Sequence, residues 1–261
     1  MPWLLALACA PSQDDALAPA TWTEVWADRF DGAAGEAPAS HWVPDLGAGG
    51  WGNQELQAYT TDNAVLDGAG NLVITAREEA RDGAAYTSAR LTTRDTFAMT
   101  YGRVEARLKV PEGQGLWPAF WMLGANFGEV SWPACGEIDV MEHRGGDPGT
   151  VQGSVHGPGY AGGATIYDTK TLSDGASLAD DFHVYAVQRD EGRITWWLDD
   201  TRYHEVTAAD LPAGSPWLFD TDFFLIVNLA VGGLFGGNPD ATTVFPAELV
   251  VDEVRVLTLA E

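Results

Sequence analysis

The segment WPACGEIDVMEHRG, Trp132 to Gly145, carries three carboxylates within six residues: Glu137, Asp139 and Glu142. In a regular strand successive side chains alternate, so Glu137 and Asp139 share a face and Glu142 points the other way. A β-bulge at Val140 and Met141 supplies one extra residue and returns Glu142 to the face of Glu137. A helix does not achieve this, because five residues at about 100° each leave the two glutamates roughly 140° apart.

With the bulge, the glutamate Cα atoms lie roughly 13 Å apart along the strand. Two long side chains leaning inward close this to about 5 to 5.5 Å, the separation of a retaining glycosidase pair. In that chemistry one carboxylate attacks an anomeric carbon. The other, kept protonated, donates to the leaving oxygen and later takes a proton from water. Asp139 between them hydrogen-bonds one glutamate and pushes the pKa values of the group apart. A solvated acidic strand would carry the same residues in a chain this acidic.

Indoles surround the acids: Trp117 and Trp121 in GLWPAFWMLG, Trp132 just before the motif, and Trp51 in WGNQELQAYT. Flat sugar faces stack on such rings, and a neutral polysaccharide also needs amides, hydroxyls and an arginine for its ring hydroxyls. Asn53, Arg90, His156 and Asn228 are polar residues of that kind. Each also has a purely structural reading, since Trp in an all-β protein is more often core than platform.

The elements that must hold these groups are strands. NLVITAR, YGRVEARLKV, HVYAVQRD, RITWWLDD, FFLIVNLAV and ELVVDEVRVLTL alternate apolar with polar residues between Gly, Asp and Pro clusters. Only Ala176 to Phe182 reads as a helical turn. Many short strands without a linker or repeat predict an all-β sandwich or jelly roll over residues 21–261, as one domain. MPWLLALACA followed by PSQDDALAPA reads as a leader and spacer over residues 1–20. That predicts export, to the medium or to the cell surface with Cys9 acylated.

The remaining cysteine, Cys135, leaves no disulfide framework. Against 38 acidic residues stand 14 basic ones, a net charge of -24 that repels nucleic acid and anionic membranes. Eleven Trp and 30 Gly in a chain 46% hydrophobic exclude disorder. No apolar run reaches the roughly 18 residues of a spanning helix.

GEIDVMEHRG, preceded by LWPAFWMLG and WPAC and followed by GSVHGPGYAGG, resembles glycoside hydrolase family 16 in its laminarinase branch of endo-β-1,3-glucanases. WGNQELQAYT upstream and FFLIVNLAVGG downstream match in order and approximate spacing, so the resemblance covers about residues 22 to 258. Two residues separate Asp139 from Glu142, where the lichenase and xyloglucan-transferase branches have one.

The resemblance implies a jelly roll of two curved antiparallel sheets with an open concave cleft, and internal cleavage of a neutral β-1,3-glucan with retention. It makes Glu137 the nucleophile, Glu142 the acid/base and Asp139 the assisting residue. Trp117, Trp121 and Trp132 become cleft aromatics, and Asn53, Arg90, His156 and Asn228 sugar contacts. No cofactor is needed for catalysis, and a monomer is expected. A structural calcium with Asp252 as a ligand is also implied, although Arg29, in WADRFDG, stands where the family has Glu and brings a cation to the site's edge. Mixed-linkage β-1,3-1,4-glucanase, another family 16 hydrolase, or a non-catalytic glucan-binding module remain open, as does endo against exo action.

Overall fold

The computed structural model describes residues 21–260; the leader, spacer and Cys9 lie outside them. The alternating runs rich in β-branched and aromatic residues fold as strands, as their packing against a half-buried surface favours. In chain order they are β1 (Trp22–Asp28), β2 (Val43–Asp45), β3 (Gln57–Tyr59), β4 (Ala64–Leu66), β5 (Leu72–Ala76), β6 (Tyr86–Ser88) and β7 (Arg90–Thr92). Then follow β8 (Gly102–Lys109), β9 (Leu116–Gly124), β10 (Glu137–His143), β11 (Thr150–His156) and β12 (Ile166–Thr171). The last five are β13 (His183–Asp190), β14 (Arg193–Leu198), β15 (Thr201–Thr207), β16 (Phe223–Val231) and β17 (Ala247–Leu259).

Two antiparallel sheets face each other as a jelly-roll sandwich. One has the order β15-β14-β13-β8-β17-β5-β4, with β1 also paired to β17; the other has the order β12-β11-β10-β9-β16-β7-β2. A short parallel pair, β3 and β6, lies beside them. Val104, Ala106 and Leu108 of β8 and Val251, Val254 and Val256 of β17 meet Phe120, Met122, Ile138, Leu225 and Val227 in one core. β16 is buried along its whole length. Its second face is covered by a smaller cluster in which Phe224 and Ile226 pack with Leu123, Cys135 and Trp121. Burial pushes the free Cys135 thiol up to about 11, which keeps it protonated and unreactive at neutral pH.

The helical turn expected at Ala176 to Phe182 does not form; a 3-10 turn at Ser173–Gly175 precedes it instead. Side chains there take the amides a helix would need. Ser177 Oγ accepts from Ala179 N–H at 3.1 Å, and Asp181 Oδ1 accepts from Phe182 N–H at 2.7 Å. No helix among the described residues is long and apolar enough to cross a membrane.

Candidate active site

The bulge is present on β10. Asp139 lies opposite Ser154 of β11, but Glu142, three residues on, lies opposite Gln152, only two residues back. On the other side Asp139 faces Trp121 and Met141 faces Phe120. Ile138, Val140 and Met141 all enter the core. Energy dictates this register. Burying a Val or Met side chain is worth about 1.5–3 kcal/mol, whereas an ionised glutamate forced into the core costs several kcal/mol.

The bulge fixes two rows of directly opposed residues across the cleft sheet, from β2 to β12. One reads Asp45, Arg90, Asn228, Ala119, Glu142, Gln152, Thr169; the next reads Val43, Thr92, Ile226, Trp121, Asp139, Ser154, Tyr167. Opposed residues of an antiparallel pair share a face, so each row crosses the cleft.

At a bulge the ladder is locally disrupted. Here the Asp139 carbonyl accepts from the indole N–H of Trp196, on β14 of the opposite sheet, at 2.8 Å. Trp196 reaches it only because position 153 has no side chain. A Cβ on Gly153 would lie 2.4 Å from Trp196 Cδ1 and 2.7 Å from the Tyr203 hydroxyl.

Around the carboxylates the hydrogen bonds are specific. Ser154 Oγ donates to Asp139 Oδ2, and His156 Nε2 lies 3.0 Å from the same oxygen and 3.5 Å from Glu137 Oε1. The indole N–H of Trp117 donates to Glu142 Oε1 at 3.1 Å, and Gln152 Nε2 reaches Glu142 Oε2 at 3.5 Å. Burial first, and Asp139 second, push Glu137 up to about 8, while His156, Arg90 and Trp132 pull it back. The same two causes, in the same order, hold Glu142 well above the usual carboxylate range, against His156 and the Trp117 bond. Both glutamates therefore hold a proton more firmly than exposed ones.

For His156, burial is the largest influence and opposes the imidazolium, yet Asp139, Glu137 and Glu142 together lift it to about 9. The amide of Gly162, donating to Nδ1 at 3.2 Å, works the other way, since only an unprotonated Nδ1 accepts it. Glu137, Asp139 and His156 also have the spacing of a metal-ligand set, within 4.8 Å. The carboxylates that favour a proton on His156 also leave Nε2, which faces Asp139, without a free lone pair for a metal.

The other residues singled out in the sequence divide by burial. Trp132 is exposed at 43%, its ring 6.1 Å from His156. Trp117, expected as a cleft platform, is only 9% exposed; it packs on Phe235 at 5.1 Å and serves as a donor to Glu142. Asn228, expected as a sugar contact, is buried, because Trp121 donates to its Oδ1 at 2.7 Å and its Nδ2 donates to the Tyr59 hydroxyl at 3.1 Å. Arg90 pairs with Asp45 at 2.9 Å and lies over the rings of Trp121 and Trp51 at 4.7 and 5.1 Å. Asn53 donates to Glu55 at 3.1 Å, from a turn in which Trp51 and Gln54 take positive φ.

Gln152 and Ser154 join the site although neither is among the sequence candidates; their alternation with His156 in TVQGSVH is the signal that marks them. Trp196 had none, since nothing local ties it to Asp139.

The calcium site fits poorly. Asp252 is paired with Arg107 Nη1 at 2.9 Å, and Arg29 lies between Glu24 at 2.7 Å and Glu253 at 3.7 Å. Calcium takes six to eight oxygens, and two guanidinium groups hold the carboxylates that would supply several of them. Those residues do not fit a cation.

A jelly-roll cleft sheet with two proton-retaining glutamates around a buried aspartate defines a carboxylate-based glycoside hydrolase. Residues 52–243 match the model of glycosyl hydrolases family 16, and the chain belongs to that family. It is 43% identical over 260 residues to a beta-glucanase of Rhodothermus marinus, covering 92% of this chain and 86% of that protein. The endo-beta-1,3-glucanase of Pyrococcus furiosus superposes with a TM-score of 0.87 at 45% identity, over 93% of this chain and 96% of that one. The laminarinase catalytic domain of Thermotoga maritima MSB8 gives 0.88 at 44% identity, over 92% and 99%.

Proposed function

We propose that this protein hydrolyses internal β-1,3 linkages of a neutral glucan such as laminarin, with retention of configuration and without a cofactor. The observation that carries the reading is the bulged β10, which turns Glu137, Asp139 and Glu142 to one face while Trp117 and His156 treat the two glutamates differently. Glu137, the position that matches the family's nucleophile, attacks as the carboxylate, the form that His156, Arg90 and Trp132 favour against burial and Asp139. Glu142 is the acid/base.

In the first step Glu137 bonds to the anomeric carbon as the glycosidic bond breaks, and the Glu142 proton goes to the leaving oxygen. In the second, Glu142 takes a proton from water, whose oxygen displaces Glu137 from the anomeric carbon. Asp139, held by Ser154 and His156, raises the proton affinity of Glu142, which favours its protonated form before the first step and its uptake of the water proton in the second. Trp132, Trp121, Arg90 and Asn53 contact the sugar chain, with Asn228 holding Trp121 in place.

The test is the release of reducing ends from laminarin. Wild type produces mixed oligosaccharides early, and Glu137→Gln binds laminarin without cutting it. Glu142→Gln still turns over an aryl glycoside with a good leaving group, and azide accelerates it by trapping the glycosyl-enzyme. Undiminished cleavage by Glu137→Gln overturns the assignment.

Residues 21–261 serve as one catalytic domain, working as a monomer outside the cytoplasm. Support for export is the apolar leader MPWLLALACA, with small residues flanking Cys9. Labelling of Cys9 by a fatty-acid probe separates an anchored form from a released one.

A further inference from the structure

Tyr167 lies on β12, the edge strand of the cleft sheet, directly opposite Ser154. Ser154 faces the cleft, because its hydroxyl donates to Asp139, and directly opposed residues share a face. The next residue, Asp168, turns to the other face, where its charge acts on Tyr203 and His204 of β15. Tyr167 therefore stands in the cleft two strand spacings, roughly 10 Å, from Asp139. Its side chain is 56% exposed.

Each aromatic ring on the opposite flank already has a partner, Arg90 over Trp121 and Trp51 and Phe235 against Trp117. That flank is dense in polar groups, with Arg90, Asn53 and Asp45 near the sheet edge. The β12 flank offers an open ring and the hydroxyl of Thr169, which lies opposite Gln152. A retaining reaction must release one half of the chain before water enters, while the other half stays covalently held. The sparse flank suits the half that leaves.

We propose that Tyr167 is the stacking platform for the leaving half of a bound glucan, one or two sugars beyond the scissile bond. This rests on the reading of the protein as a retaining glucanase. It makes Tyr167 a residue that sets how strongly the rate depends on chain length at that end. The apolar face of a glucose ring against the phenol supplies the contact, and the hydroxyl contributes little.

The experiment compares kcat/KM on laminarihexaose with kcat/KM on an aryl β-laminaribioside, whose leaving group ends short of β12. Tyr167→Ala lowers the value on the hexaose about tenfold, a stacking contact's worth, and moves the aryl substrate less than twofold. Tyr167→Phe, which keeps the ring, stays within twofold of wild type on both. No loss on the hexaose overturns the proposal. So does an equal loss on both substrates, which marks a general structural defect. A wild-type protein inert on laminarin sinks the glucanase reading and the platform with it. An active wild type indifferent to Tyr167→Ala sinks the platform alone.

Discussion

The indole N–H of Trp196, from one sheet, donates to the backbone carbonyl of Asp139, on the other, at 2.8 Å. This bond pins the bulge that presents Glu142 to the cleft. Trp196→Phe keeps the ring and leaves a buried carbonyl unpaired, a cost of about 1–3 kcal/mol. Expected results are a kcat on laminarin lower by about tenfold with KM within twofold, and a melting temperature lower by about 2–10 °C. Gly153→Ala, whose methyl collides with the same indole, should give the same pattern. A loss of stability with kcat unchanged would show that the bulge holds without the indole.

Trp117 acts on the acid/base in a direction that pH can read. Its N–H favours the Glu142 carboxylate, so Trp117→Phe raises the Glu142 pKa further. The acid must be protonated in the first step, and a higher pKa keeps it so at higher pH. The alkaline limb of the kcat/KM profile should therefore move to higher pH, while the second step slows. A limb that moves to lower pH contradicts this role.

Asp139 raises both glutamates and His156. Asp139→Asn removes that charge, so all three pKa values fall. Both limbs of the pH profile should shift toward acid, with kcat lower by about 10²-fold or more as proton transfer is mistimed. A profile that merely drops in height would leave Asp139 without the electrostatic role given to it.

The same shifts set how stability depends on pH. Glu137 rises from 4.5 to about 8 in the folded protein, so its contribution is complete below pH 4.5 and lost as pH rises through 8. His156 rises from 6.5 to about 9, so its contribution is complete below 6.5 and lost through 9. Both have the same sign, and stability from the site declines between about pH 4.5 and 9. Glu137→Gln removes the first titration. Thermal melts should show that its melting temperature gains on wild type between pH 5 and pH 9, by a few degrees or more. A difference that stays constant with pH refutes the linkage.

Part of the site was legible because it is local. Glu137, Asp139 and Glu142 lie on one strand, and strand alternation plus one bulge is a one-dimensional argument that needs no partner. The six alternating runs became strands for the same reason. Burial and partners of the other candidates are not written in their own segments. Trp117 and Asn228 are of the right type and in the right segments, yet neighbours from Phe235, Trp121 and Tyr59 cover them. At Asp252 the sequence held a ligand candidate, but Arg107, 145 residues away in the chain, holds the carboxylate.

By itself the sequence determined the sandwich class, the family and the three acids on one face, because periodicity and residue type act over a few neighbours. Only the tertiary structure decided the proton affinities of those acids, the support of the bulge by Trp196 through the gap at Gly153, and the cleft-facing place of Tyr167. Desolvation and hydrogen bonding depend on which distant strands come together, and cross-sheet register is not written in any single segment.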